Sequence, residues 1–269
     1  MTRPRALITG AGSGLGRALA HRYARAGYDI GVAELIPERA ETVVGELAAH
    51  GGEHFAVRVD VGDDASVETM RDAVRAHWDG FDVLINNAGV ASAGSIADSS
   101  LDDWRWVTNI DLFGVVRGMK AFAPMFQKQR RGHVLSTASF AGIAGAPGIA
   151  SYGVAKAGVI ALSEALRAEM EPFGVKVSVI CPSFFKTNLL ETARGPNAQF
   201  AGVASKLMDN AKESADDIAD YVFKAQQRGD FMIIPTGPER TRWRLKRWLP
   251  ELYFRELMKF ARKMAARGS

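Results

Sequence analysis

The chain has 269 residues, 47% of them hydrophobic and 24% charged, with a net charge of +4. That is enough apolar mass for one large domain with a substantial core, and the charge content of an ordinary soluble protein. The single cysteine, Cys181, excludes an intrachain disulfide and suits a reducing compartment. The opening residues carry no long apolar run and reach glycine by Gly10. Neither a signal peptide nor a spanning helix is expected there, and the expected location is the cytoplasm.

In chain order, "RALIT" reads as a strand, followed by a glycine cluster and the helical pattern "LGRALAHRYARAG". "YDIGVAEL" is strand-like, and "PERAETVVGELAAHGG" is helix-like and opens on a proline. "HFAVRVDV" precedes the helix "DDASVETMRDAVRAHW", and "FDVLINNAG" is a near-continuous apolar strand. A long helical stretch, "SLDDWRWVTNIDLFGVVRGMKAFAPMFQKQ", follows. Then come strand "GHVLSTAS", helix "SYGVAKAGVIALSEALRAEMEPFG" and strand "VKVSVICPS", with "SADDIADYVFKAQQRG" and "DFMIIP" as the last pair. The strands lack clean alternation, so both of their faces are covered. The predicted fold is α/β: a doubly wound parallel sheet of about seven strands with helices on both faces. Residues 1–237 are expected to form this single domain, and 238–269 a basic extension.

"TGAGSGLG", Thr9 to Gly16, lies between the first strand and the first helix. Gly10, Gly12, Gly14 and Gly16 allow a tight turn and close approach of backbone to a pyrophosphate. The helix N-terminus offers unpaired N–H groups to the phosphates. Glu34 ends the second strand, where a carboxylate accepts the adenosine ribose hydroxyls and repels a 2′-phosphate. No Arg or Lys lies in the loop, and Leu35 follows Glu34. NAD is therefore expected over NADP, with Arg39, about one turn further on, as the residue able to alter that preference.

These residues, together with those that follow, resemble the short, single-domain branch of the short-chain dehydrogenase/reductase family. The resemblance runs from about Arg5 to Pro235. "TGAGSGLG", with Ser13 and Leu15, resembles the family's cofactor loop; Asp60-Val61 resembles its adenine-contacting pair. "NNAG" (Asn86 to Gly89, including Ala88) resembles its central-strand motif. Asn109, Ser139, Tyr152 and Lys156 fall where the family keeps its catalytic tetrad, with Ser139 13 residues before Tyr152. Phe185 and Thr187 fall on the nicotinamide side. Pro182-Ser183 departs from the family's usual Pro-Gly.

The resemblance implies hydride transfer between a nicotinamide and an alcohol or ketone, and the chemistry explains the Tyr-Lys pairing. A free tyrosine has a pKa near ~10, too high for a base at neutral pH. Lys156, one helical turn on, brings a positive charge that favours phenolate. Tyr152 is then the base in oxidation and the acid in reduction. Ser139 would hydrogen-bond the reacting oxygen. The resemblance gives Lys156 two more roles: holding the nicotinamide ribose, and passing a proton through water toward Asn109. The alternative is a non-catalytic protein that senses the nicotinamide redox state.

The segments around "VASAGSIA", "FAGIAGAPGIA" and "PSFFKTNLL" supply few charges, so a largely apolar substrate is expected. Phe140, Pro147, Phe184 and a lid from about Asn188 to Asp209 are the expected lining, with Lys186 and Arg194 able to meet an acidic group. His21, His50, His54, His77 and His133 show no metal-ligand spacing, and no metal is expected. Family members commonly assemble through the long helices, so a homo-tetramer or dimer is expected.

The last stretch, Pro238 to Ser269, holds ten Lys or Arg against three Glu, a net of +7. Tyr253, Leu257, Phe260 and Met264 recur at helical spacing, widened by Phe254, Met258 and Ala261. An amphipathic helix is expected, packed on its own subunit or a neighbour, or laid on an anionic membrane surface. Nucleic-acid binding is not expected, since no recognised motif accompanies the basic residues.

Overall fold

A computed structural model describes residues 3–185, 193–195 and 210–268, the last helix by its backbone alone beyond Lys263. Seven strands form one sheet: β1 (Arg5–Thr9), β2 (Asp29–Glu34), β3 (Phe55–Arg58), β4 (Val83–Asn86), β5 (Gly132–Thr137), β6 (Val175–Ile180) and β7 (Met232–Ile233). Their order is β3-β2-β1-β4-β5-β6-β7, with every pairing parallel. The chain winds outward from β1 to β3, then returns to place β4 on the other side of β1. The gap between the ends of β1 and β4 is the topological switch point, where such sheets bind ligands.

The helices are α1 (Gly14–Arg25), α2 (Pro37–Leu47), α3 (Asp64–His77), α4 (Leu101–Thr108), α5 (Gly114–Gln129), α6 (Ala141–Ala144) and α7 (Ala150–Met170). After these come α8 (Ala215–Arg228), α9 (Gly237–Trp248) and α10 (Pro250–Gly268). β2 and β4 are buried along their whole length because helices cover both faces. One face packs Leu19 and Tyr23 of α1 against Ile218 and Val222 of α8. The other packs Met70 of α3, Phe122 and Phe126 of α5 and Leu166 of α7. Asp63 caps α3 by accepting from the Ser66 N–H, and Ser214 and Asp217 cap α8 reciprocally.

The long helix expected from Ser100 is α4 joined to α5 through one π-helical turn, Asn109–Phe113. A glycine lets α5 lie close to the sheet: a Cβ on Gly118 would sit 2.2 Å from Asn86 Oδ1. The root of the C-terminal segment lies against the body of the same chain. Trp243 joins Phe140 and Ile143 in one apolar cluster. The Lys246 ammonium donates to Ile143 O (2.5 Å), and the Tyr253 hydroxyl donates to Ala144 O (2.9 Å). The root of the extension thus covers α6, directly after Ser139. Among the described residues no helix is long and apolar enough to cross a membrane.

His133 on β5 makes a titratable anchor for the sheet. Its Nδ1 lies 3.1 Å from Gln226 Nε2 and its Nε2 lies 2.7 Å from Ser178 Oγ, which donates in turn to Asp230 O. The amide of Gln226 donates, so the ring must accept at Nδ1 and donate at Nε2. That is the neutral form. Burial first, then Lys176, pushes its pKa down to about 4. The unfolded chain binds this proton near its ordinary value, so stability present at neutral pH is lost as pH falls from about 6.5 toward 4. His133→Gln is expected to flatten that dependence, removing up to about 3 kcal/mol of pH-linked change. Urea unfolding at several pH values checks this, and parallel curves for both proteins would count against it.

Candidate active site

The glycine loop closes the switch point through backbone packing. Gly10 and Gly14 have φ of +63° and +52°, a region that favours glycine. A Cβ on Gly10 would sit 2.8 Å from Ala88 Cα, and one on Gly16 would sit 2.1 Å from Gly10 O. Thr9 and Asn87 hold this contact, a brace that sequence reasoning passed over. Thr9 Oγ1 accepts from the N–H groups of Asn87 (2.9 Å) and Ala88 (3.1 Å). Asn87 Nδ2 donates to Thr9 O (3.1 Å) and Gly10 O (3.3 Å). The signal lay in the second Asn of "NNAG", whose short amide reaches a neighbouring strand end.

The loop fits a dinucleotide. Ser13 stands at the N-cap of α1 with no side-chain cap bond, and Leu15 and Gly16 follow with no acid in the first turn. The helix N-terminus therefore keeps donors and a partial positive charge for phosphate. Glu34 lies across the mouth of the loop: one carboxylate oxygen accepts from Gly12 N (3.0 Å), the other from Leu35 N (2.9 Å) and Ile36 N (3.3 Å). Asp60 accepts from Gly62 N (2.8 Å), and Val61 packs beside Gly114. The Asn86 side chain turns toward α5 at Gly118. Phe185 is buried in the cluster that holds Leu15 and Ile218. Thr187, Lys186 and most of the expected lid lie outside the described residues.

At the ends of β4 and β5, α7 brings up Tyr152 and Lys156, with Lys156 Nζ 5.7 Å from the Tyr152 ring centre. Ser139 Oγ accepts from Ala141 N (3.1 Å) and donates to Pro182 O (3.5 Å), and its hydroxyl acts on the Tyr152 phenol. Lys156 is 3% exposed, yet its ammonium donates to Thr137 O (3.0 Å) and stands 3.2 Å from Asp111 Oδ2. Asp111 has no exposed surface, and its Oδ1 accepts from Val90 N (2.8 Å). A Cβ on Gly89 would lie 3.2 Å from both the Asp111 carboxylate and the Lys156 ammonium.

Three of the four expected catalytic residues thus converge, and Asn109 does not. Its Nδ2 donates to Gly62 O (3.0 Å), and its Oδ1 accepts from Arg117 Nη2 (2.8 Å). The π-helical turn changes the helical phase between Thr108 and Gly114, so Asp111, two residues on, faces Lys156 instead. A carboxylate set among Ile110, Leu112 and Phe113 was the available sign, since a charge in an apolar run is rarely buried without a partner.

The electrostatics differ from the expectation of a tyrosine drawn toward neutral pH. Burial raises the Tyr152 pKa. Lys156 and the Ser139 hydrogen bond pull it down and Asp111 pushes it up, so in the protein alone it stands above its ordinary value. Burial opposes the Lys156 ammonium, but Asp111 and Tyr152 outweigh it and Lys156 is raised. Burial also raises Asp111, against the pull of Lys156 and the Val90 N–H. Cys181, buried at the end of β6, is pushed up to about 12 by burial and stays a neutral thiol. Of the expected lining, Phe140 is buried under α9, while Phe184 is half-buried and Pro147 exposed. Arg194 stacks its guanidinium 4.2 Å from the Trp106 ring centre.

The model of the short chain dehydrogenase family matches residues 4–197. The chain belongs to the short-chain dehydrogenase/reductase family. It is 38% identical over 183 residues to the meso-2,3-butanediol dehydrogenase of Serratia marcescens, covering 68% of this chain and 72% of that one. It is 34% identical over 206 residues to a 3-oxoacyl-[acyl-carrier-protein] reductase of Synechocystis sp., covering 76% and 83%. Among solved structures, a short-chain dehydrogenase/reductase from Burkholderia phymatum in complex with NAD superposes with a TM-score of 0.86 at 31% identity, over 93% of this chain and 95% of that one. The chain is therefore an oxidoreductase of this family with its Rossmann-like sheet.

The loop geometry makes a sharp expectation for Gly12. A Cβ there would sit 2.8 Å from both Glu34 Cγ and Arg39 Cβ, displacing the carboxylate. Gly12→Ala is expected to weaken NADH binding by about tenfold or more, roughly 1.4 kcal/mol, with little change in Tm. Fluorescence titration checks this; unchanged affinity would contradict the expectation that Glu34 meets the adenosine ribose.

Proposed function

We propose that the chain interconverts a largely apolar secondary alcohol and its ketone with NAD, using Tyr152 as the acid/base. The observation that carries this reading is the Ser139–Tyr152–Lys156 cluster beside a glycine loop built for a pyrophosphate. The names of the two relatives, a diol dehydrogenase and an oxoacyl reductase, support alcohol and carbonyl chemistry. Glu34 at the loop mouth supports NAD over NADP, because a 2′-phosphate there would meet a carboxylate.

The dinucleotide, when bound, accepts or supplies the hydride. Gly10, Ser13, Gly14, Leu15 and Gly16 would hold its phosphates and Glu34 its adenosine ribose. Asp60 and Val61 would flank the adenine. The strand-end turn of Asn86, Ala88 and Gly89, with Tyr152, Lys156, Phe185 and Thr187, would hold the nicotinamide half. The protein manages the proton. The Tyr152 hydroxyl gives it to the substrate oxygen in reduction and the phenolate takes it in oxidation. The Ser139 hydroxyl donates to the same oxygen and stabilises charge as it develops.

Tyr152→Phe separates catalysis from a sensing role. Turnover is expected to fall by about 10²–10⁴-fold, the usual worth of a positioned acid/base, with NADH affinity nearly unchanged. The assay is NADH-linked absorbance on a panel of diols, long-chain alcohols, steroids and their ketones. Equal activity in the variant would overturn the assignment, and a higher kcat/KM with NADP would overturn the cofactor preference.

We infer further that residues 1–237 form the catalytic unit of a homo-oligomer and that the extension also meets anionic membranes. Phe113 and Val154 leave apolar side chains exposed on the long helices. On α9, α10 and Leu249 between them, Trp248, Leu249, Phe254, Met258 and Phe260 are exposed beside Arg244, Arg247, Arg255, Arg262 and Lys263, with Glu251 and Glu256 as the exposed acids of α10. Apolar groups bordered mainly by cations suit a lipid headgroup layer. Truncation at Gly237 would strip Trp243 and Tyr253 from the body, so the cleaner variant is Phe254, Met258 and Phe260 all changed to Ser. Salt-sensitive cosedimentation with phosphatidylglycerol vesicles, lost in this variant, is expected. Absence of binding by the full chain would contradict it.

A further inference from the structure

Lys156 is not an unopposed cation. Its ammonium is buried 3.2 Å from the Asp111 carboxylate, which has no exposed surface. The other Asp111 oxygen is fixed by the Val90 N–H at 2.8 Å, so the carboxylate cannot turn away without leaving that donor unpaired. The Thr137 carbonyl, 3.0 Å from Nζ, holds the ammonium from the opposite strand end. Among the described residues, the charged and titratable groups acting on Tyr152 are Lys156 from its own helix, Asp111 from the π-helical turn and Cys181 from the end of β6. Cys181 is neutral, so the net charge these residues present to the phenol is that of the Lys156–Asp111 pair.

We propose that Asp111 is a positioning residue that offsets the charge of Lys156, holds Tyr152 in its protonated, proton-donating form, and so fits the centre to carbonyl reduction at neutral pH. This rests on the oxidoreductase reading above. In that direction the carbonyl carbon takes a hydride, with its electron pair, from the reduced nicotinamide dinucleotide. The C=O π bond breaks, the oxygen takes the Tyr152 proton, and water reprotonates the phenolate. The overall equilibrium is untouched; what Asp111 moves is the pH window of each direction. Reduction runs with tyrosine as found at neutral pH, whereas oxidation needs a phenolate that appears only on the alkaline side.

The raised Tyr152 pKa agrees in direction, with burial its largest cause and Asp111 adding to it against Lys156. Asp111→Asn removes the charge while keeping volume and the acceptor for Val90 N–H, and Asp111→Ser is a second charge-removing variant should the first not fold. The readout is the titration of ¹³Cζ-labelled tyrosine by NMR, with the Tyr152 signal assigned by its loss in Tyr152→Phe. Removing the carboxylate is expected to lower the Tyr152 midpoint by about one unit or more, a tenfold rise in phenolate at a given pH. The ascending limb of kcat/KM for NAD-linked alcohol oxidation should move to lower pH by the same amount, a shift that loss of packing alone would not produce. A midpoint unmoved or raised in a folded variant overturns the proposal. The titration needs no substrate, so the two readings fail separately. A shifted midpoint without turnover of any alcohol or ketone would sink the oxidoreductase reading alone, and Tyr152-dependent turnover with an unshifted midpoint would sink this one.

Discussion

The site depends on keeping one ammonium ion buried. A lysine nitrogen taken out of water is strongly disfavoured unless its charge is paired and its N–H groups are met. Here the Thr137 carbonyl accepts from it and the Asp111 carboxylate pairs with its charge. These partners sit on different elements: the end of β5 and the π-helical turn between α4 and α5. The opening stretch of α7, "SYGVAKAG", is small because those elements must close around it. A Cβ on Gly158 would press on Leu112 at 2.9 Å, and one on Gly142 of α6 would press on Ala157 N at 2.7 Å. Small residues here serve the approach of three helical segments to one charge.

The same strand ends tie the proton-handling centre to the glycine loop. Asn87 donates from its amide to Thr9 O and Gly10 O, while its amide oxygen accepts from the Thr137 hydroxyl at 3.3 Å. Thr137 then offers its carbonyl to Lys156. One short chain of hydrogen bonds therefore joins β1, β4 and β5, the loop that fits phosphates and the cation that governs Tyr152. A parallel sheet makes this possible, since all its strands end on the same edge.

Much of this was legible in the sequence because it follows from local rules. Apolar runs without alternation foretold a sheet covered on both faces, and the four-glycine loop after "RALIT" foretold the phosphate cradle. Tyr152 and Lys156 share one face of α7 as their spacing implies, with Lys156 Nζ 5.7 Å from the Tyr152 ring centre. Asn109, placed by family resemblance, turns to Gly62 and Arg117, because one π-helical turn puts Asp111 rather than Asn109 beside Lys156. The consequence for Tyr152 was hidden for the same reason: a lysine read from sequence has no visible counter-ion. Thr9 and Asn87 were missed because a cross-strand brace has no periodicity. The extension was legible as an amphipathic helix, but which face would stay uncovered depended on where Trp243 and Tyr253 land on the body.

The most direct measurement follows an atom rather than a rate. NADH carrying deuterium at the transferable C4 position would be incubated with the protein and a panel of apolar ketones and diketones, and the products read by mass spectrometry. Deuterium on the new carbinol carbon, absent when Tyr152 is replaced by Phe, is the expected result. Failure to label any alcohol, or equal labelling by the Phe variant, would contradict the assignment of Tyr152, Ser139 and Lys156 as the proton-handling centre of a hydride-transfer site.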